Sequence, residues 1–142
     1  MALFMLLLMT IVGISSMRST SLEETMAGNM RESNISLQAA EAGLRAGEKV
    51  VTDKLVSNSL ETLDDNPETG TYSGFPGVSN NPTYRISLIA LQRTSTAAGE
   101  PTAGNEGAIV RVEATGFGAS KNSNNSSTST TSLRSTFQSI ED

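Results

Sequence analysis

The sequence predicts an α+β fold: a long N-terminal α-helix, apolar at its head and amphipathic beyond, packed on a C-terminal antiparallel three-stranded β-meander. Three observations predict it. The first 17 residues carry no charge, and 13 of them are hydrophobic. Leu22, Met26, Met30, Leu37, Ala40, Leu44, Val51 and Leu55 then recur at intervals of three, four and seven residues, the period of one helix face. Three runs with alternating apolar positions follow in the C-terminal half, set apart by turn-rich or strongly polar stretches.

Residues 1–14 read Met-Ala-Leu-Phe-Met-Leu-Leu-Leu-Met-Thr-Ile-Val-Gly-Ile, and the first charged side chain is Arg18. Seventeen uncharged residues rise about 25 Å as a helix, just short of the roughly 30 Å thickness of membrane hydrocarbon. Three readings compete: a cleavable signal peptide, an ordinary membrane anchor, and a helix that waits in the membrane and later packs against copies of itself. A signal peptide wants a positive n-region and a small-x-small cleavage site. No Lys or Arg precedes residue 18, and Ser15-Ser16-Met17 matches a cleavage site poorly.

Residues 13–21 are rich in weak helix formers. Serine and threonine compete for their own backbone and Gly13 adds chain entropy, so Gly13, Ser15 and Ser16 mark a stretch able to melt. Ser21 followed by Glu24 reads as a capping box restarting the helix. This divides the chain into residues 1–21, the apolar helix and its weak junction, and residues 22–142, the body. Gly28, Gly43 and Gly47 interrupt the amphipathic half at about 1 kcal/mol each against alanine, which points to close backbone approach by a neighbour. The polar side carries Glu24, Arg31, Glu32, Gln38, Arg45, Glu48 and Lys49.

The helix is expected over residues 22–60. A turn-rich loop over 64–82 holds three of the four prolines. Strands are expected near 84–93, 107–117 and 131–140. The link 120–132, all Ser, Thr and Asn apart from Lys121, is too polar to pack and reads as flexible or as a glycan-bearing surface. Leu37, Ala40 and Leu44 are expected to dock the helix on a sheet face containing Val110, Val112 and Phe137.

Composition removes much of enzymology. With no cysteine there is no disulfide and no thiolate chemistry, and with no histidine the commonest metal ligand and general base are missing. No catalytic, cofactor-binding or metal-binding residues are assigned, no cofactor is expected, and the chain is not read as an enzyme. Ten Lys and Arg against 15 Asp and Glu give a net charge of −5. That balance argues against nucleic-acid binding, which needs clustered cations. Glu23-Glu24 and Asp64-Asp65 read as solvated surface and turn chemistry. The methionine spacing reads as packing rather than soft-metal ligation.

Two segments are more specific. Residues 17–29 read Met-Arg-Ser-Thr-Ser-Leu-Glu-Glu-Thr-Met-Ala-Gly-Asn, and residues 38–48 read Gln-Ala-Ala-Glu-Ala-Gly-Leu-Arg-Ala-Gly-Glu. With the apolar run before them, they resemble in order and spacing the N-terminal region of PilX-like minor pilins of the type IV pilin superfamily. The resemblance spans residues 1–48, about a third of the chain.

It implies a filament subunit, made with a basic leader, held in the inner membrane by the apolar helix, trimmed by a prepilin peptidase and added by pilus assembly machinery to an extracellular fibre. Its partners would be other pilin subunits, in a homopolymer or a mixed filament. The filament core would then be formed by Met1, Phe4, Met5, Leu8, Ile11 and Val12, with Arg18, Glu23, Glu24 and Arg31 available for intersubunit ion pairs. Two departures stand out. No basic leader precedes the head, as in a mature form or one starting slightly inside it, and the first acidic residue is Glu23, not a glutamate near the start. A second function class stays open: a membrane-tethered module whose C-terminal meander recognises a surface ligand.

Overall fold

The computed structural model describes residues 2–57, 59–60, 62–92 and 107–140. Met1 and the 93–106 link lie outside them. One helix, α1 (Ala2–Val56), runs through both halves of the expected helical region. A single turn, α2 (Thr62–Asp65), follows, and then β1 (Glu68–Thr71), β2 (Thr83–Gln92), β3 (Gly107–Phe117) and β4 (Thr130–Ile140). The strands form one antiparallel sheet in the order β1-β2-β3-β4. The α+β expectation holds, with four strands where three were expected.

The extra strand, β1, lies inside the stretch expected to be a loop. Its sequence, Glu-Thr-Gly-Thr, has no apolar alternation to announce it. Pairing creates it: Gly70 opposes Tyr84 in the ladder, and the tyrosine ring covers the site a side chain would take. The amide of Tyr72 donates to the Pro82 carbonyl at 2.9 Å, closing the turn region onto the start of β2.

No break separates the halves of α1. Ser21 is an interior helical residue rather than a cap, and its carbonyl accepts the Thr25 hydroxyl at 2.9 Å. Thr10 and Thr20 likewise donate to the carbonyls of Leu7 and Ser16. Back-bonding within the helix satisfies hydroxyls that would otherwise compete for the backbone.

The helix lies across one face of the sheet. Ile86, Val110, Val112 and Ala114 point up into the contact and are buried, as alternation along each strand requires. Val51, Leu60 and Leu63 close the core at one end, with Leu44, Val50, Tyr84, Leu88 and Phe137 packed around it. The buried side of α1 is Ser36, Ala39, Ala40, Gly43, Gly47 and Val51. At 100° per residue this side is turned by roughly 70° from the stripe of large apolar residues that the spacing picks out. The reason is steric: a sheet face can be approached closely only by small side chains. A Cβ on Gly47 would stand 2.6 Å from Val112 Cγ1, and one on Gly43 would stand 3.2 Å from Pro82 Cβ.

The polar tract between β3 and β4 is a folded hairpin rather than a loose link. Asn122 Oδ1 accepts the amides of Asn124 and Ser126, both at 3.0 Å, in an Asx turn. Asn125 takes the left-handed conformation (φ 60°) that asparagine tolerates, and Lys121 and Ser127 form an isolated bridge.

Candidate functional site: the bare half of the long helix

Residues 2–31 of α1 are exposed along their whole length, and Glu32 is the first that is not. Thirty helical residues project about 45 Å from the body. Over the head, Phe4, Met5, Leu8, Ile11 and Val12 are exposed, as are Leu3, Leu6, Leu7, Met9 and Ile14. Apolar residues therefore surround the axis. A contiguous patch of this size is far beyond what a soluble monomer shows to water. The segment is long and apolar enough to cross a membrane, and a helix satisfies every backbone group internally, as lipid demands.

The character of the bare half changes after Met17. Leu22, Met26 and Met30, spaced by four residues, each remain about two-thirds exposed, while Glu23, Glu24 and Arg31 share the same stretch. An apolar line along one side of a charged helix suits a protein neighbour, whereas the all-round apolar head suits lipid and protein alike. Arg18, Glu23, Glu24 and Arg31 are all exposed, and among the described residues the ion pairs are elsewhere: Lys54 with Glu68 at 2.9 Å and Arg134 with Glu113 at 2.7 Å. Gly13, Ser15 and Ser16 are helical and exposed, with open space around Gly13.

Where the bare half meets the body, polar contacts fix its exit. Ser36, fully buried, donates to the Ser33 carbonyl at 2.9 Å. Its hydroxyl oxygen lies 2.7 Å from Thr131 Oγ1 and 3.1 Å from Ser129 Oγ. With its one proton committed to Ser33, Ser36 accepts from both, pinning the helix to the start of β4. One turn earlier, the Glu32 carboxylate receives the Ser120 hydroxyl at 2.7 Å and the Ser120 amide at 3.2 Å. These two bonds hold its pKa below the usual carboxylate range, the hydroxyl contributing most.

Of the three residues expected to dock the helix, Ala40 lies in the centre of the contact, fully buried. Leu44 packs against the core from one flank, and Leu37 stays 39% exposed. Neither Ser36 nor Glu32 stands out in the sequence as a contact residue, because one serine among many and one glutamate on a charged helix carry no periodic signal. The spacing of Gly43 and Gly47 was the clue to close approach.

In comparison with known families, residues 1–45 fit the family described as PilX N-terminal. The matched segment takes in the bare half of α1 and the first turns of the docked half. Neither the curated proteins nor the solved structures give a match.

Proposed function

We propose, from the PilX-like segment over residues 1–45, that this chain is a structural subunit of a type IV pilus. The observation that carries the reading is the bare half of α1, apolar all round over the head and then one-sided. Before assembly the head sits in the bacterial inner membrane, trimmed by a prepilin peptidase. Assembly exchanges lipid for the heads of other pilin subunits, so Met1, Phe4, Met5, Leu8, Ile11 and Val12 form the filament core. The exposed line Leu22, Met26 and Met30 then meets a neighbouring helix, and Arg18 and Arg31 meet the neighbour's Glu23 and Glu24. Crowding of heads in a narrow core favours extension of the stretch around Gly13, Ser15 and Ser16, whose weak propensity makes it the cheapest place for α1 to open. The subunit is structural rather than catalytic, and the fibre supports adhesion, aggregation or twitching motility.

The test is the state of assembly. Filaments sheared from cells are expected to contain this chain. Its retention in the membrane fraction, with none in the fibres, would favour a tethered binding module instead.

A further inference from the structure

The sheet has a second face, turned away from α1, and its charge runs against that of the chain. Arg85 on β2, Glu113 on β3 and Arg134 on β4 oppose one another directly in the ladder. Arg111 lies two residues along β3, diagonal to both flanking arginines, with Ser87 and Thr136 as its own partners. Three arginines thus occupy the ladder positions around one glutamate. Outside this cluster the chain has seven basic residues against fourteen acidic ones. Arg134 is drawn to Glu113 at 2.7 Å, while Arg85 and Arg111 form no ion pair among the described residues. The Nε of Arg111 is buried and makes no hydrogen bond.

Two shallow clefts of about 380 and 430 Å³ flank this cluster and share Glu113 and Thr115. Hydroxyls of Thr69, Thr71, Thr83 and Ser132 line the rest of the trough, which runs across the strands from β1 to β4. Four strands at their usual spacing make it about 14 Å long. We infer that this trough binds an anionic polysaccharide, a polymer of sugar acids, and that the pilus displays the site along its surface.

The placement rests on the pilin reading: with α1 toward the fibre axis, the face opposite α1 points outward. The chemistry comes from the cluster. A sugar carboxylate pairs with the guanidinium of Arg85, which lines the trough and has no ion pair among the described residues, and Arg111 adds positive charge beside it, while neighbouring sugar hydroxyls donate to Glu113 and exchange with the Thr and Ser rows. A nucleic-acid backbone fits less well. It presents phosphates without intervening hydroxyl donors, so Glu113 would face like charge, and two free guanidiniums fall short of the six to ten phosphate contacts of a salt-sensitive nucleic-acid binder.

The test uses the full chain in uncharged detergent, with immobilised polygalacturonate as probe and dextran and duplex DNA as comparisons. Wild-type chain is expected to bind polygalacturonate and not dextran, and to lose binding as salt rises and screens the charges. Arg85→Glu, an exposed change with an unaltered melting curve, is expected to weaken binding about tenfold. Arg85→Gln acts in the same direction and serves if the reversal disturbs folding. No polygalacturonate binding, binding indifferent to Arg85, or a preference for DNA would each overturn the site. Recovery in sheared filaments is read separately, so a chain that assembles without binding the polymer refutes this inference and leaves the pilin reading standing.

Discussion

Gly116 of β3 lies directly against Ala40 of α1, so close that a Cβ on the glycine would overlap the Ala40 amide nitrogen and the Ser36 carbonyl oxygen. Backbone rather than side chain occupies the space, and no rotamer change can relieve the overlap. The helix and the sheet touch where each has least to offer in bulk. Gly116→Ala is therefore expected to lift α1 off β3. Overpacking of this kind costs about 1–3 kcal/mol, at the upper end here because the obstruction is main chain. Thermal melting of the full chain in detergent measures it. Gly28→Ala is the control: nothing lies within 4 Å of its Cβ position, so it keeps the propensity gain of about 1 kcal/mol. Equal melting temperatures for Gly116→Ala and wild type would show that the close contact is not maintained in solution.

The Ser36 cluster predicts a loss disproportionate to one hydroxyl. Ser36→Ala leaves Ser129 and Thr131 without their shared acceptor at a buried junction, at a cost of about 1–3 kcal/mol. Because the cluster joins α1 to the start of β4, hydrogen exchange is expected to accelerate first at the amides around 129–131. Faster exchange spread evenly over the sheet would mean that Ser36 contributes to global stability alone and does not set the helix exit locally.

Glu32 predicts a pH dependence with a definite sign. Its folded pKa lies below the reference value of 4.5, so its contribution is fully present above that value and is lost as pH falls through the lower, folded one. Acidification is expected to release Ser120 while the sheet stays folded. The Ser120 amide resonance reports it directly. Glu32→Gln keeps an acceptor without the charge and is expected to abolish the titration. A Ser120 resonance that titrates identically in the Glu32→Gln variant would place the responsible carboxylate elsewhere.

What the sequence disclosed follows a physical divide. Helix and strands were legible wherever burial imposed a period: Ile86, Val110, Val112 and Ala114 alternate because one side of each strand is covered. The head was legible because apolar residues surround it. β1 was not, since Glu-Thr-Gly-Thr becomes a strand only when β2 supplies its partner. The docking side of α1 was legible only in part: Ala40 and the spacing of Gly43 and Gly47 pointed to it, but hydrophobic spacing marks large side chains and so favoured Leu37 over the buried Ser36. The 120–132 tract looks loose by composition, yet its asparagine, serine and threonine side chains make the backbone bonds that fold it.

The head itself gives the most direct prediction. Leu8 lies 61% exposed in the middle of a segment without charge before Arg18, so whatever covers it, lipid or neighbouring helices, is apolar. A lysine at mid-membrane depth costs roughly 2.5–3.5 kcal/mol on insertion scales. In lipid its long stem can carry the amine toward the headgroups. Among packed helices no headgroup is within reach and no acidic residue precedes Glu23 to receive it. Assembly is therefore more sensitive than insertion. Leu8→Lys is expected to reach the membrane at reduced level, to keep its body folded some 35 Å away along α1, and to be missing from sheared filaments. Association through the head is also expected to be indifferent to salt, because screening acts on charges and the head has none. Recovery of the tagged variant from fibres and membranes separates the two steps. Its normal incorporation would show that the head is not the filament core, and the bare half of α1 would then act as a tether.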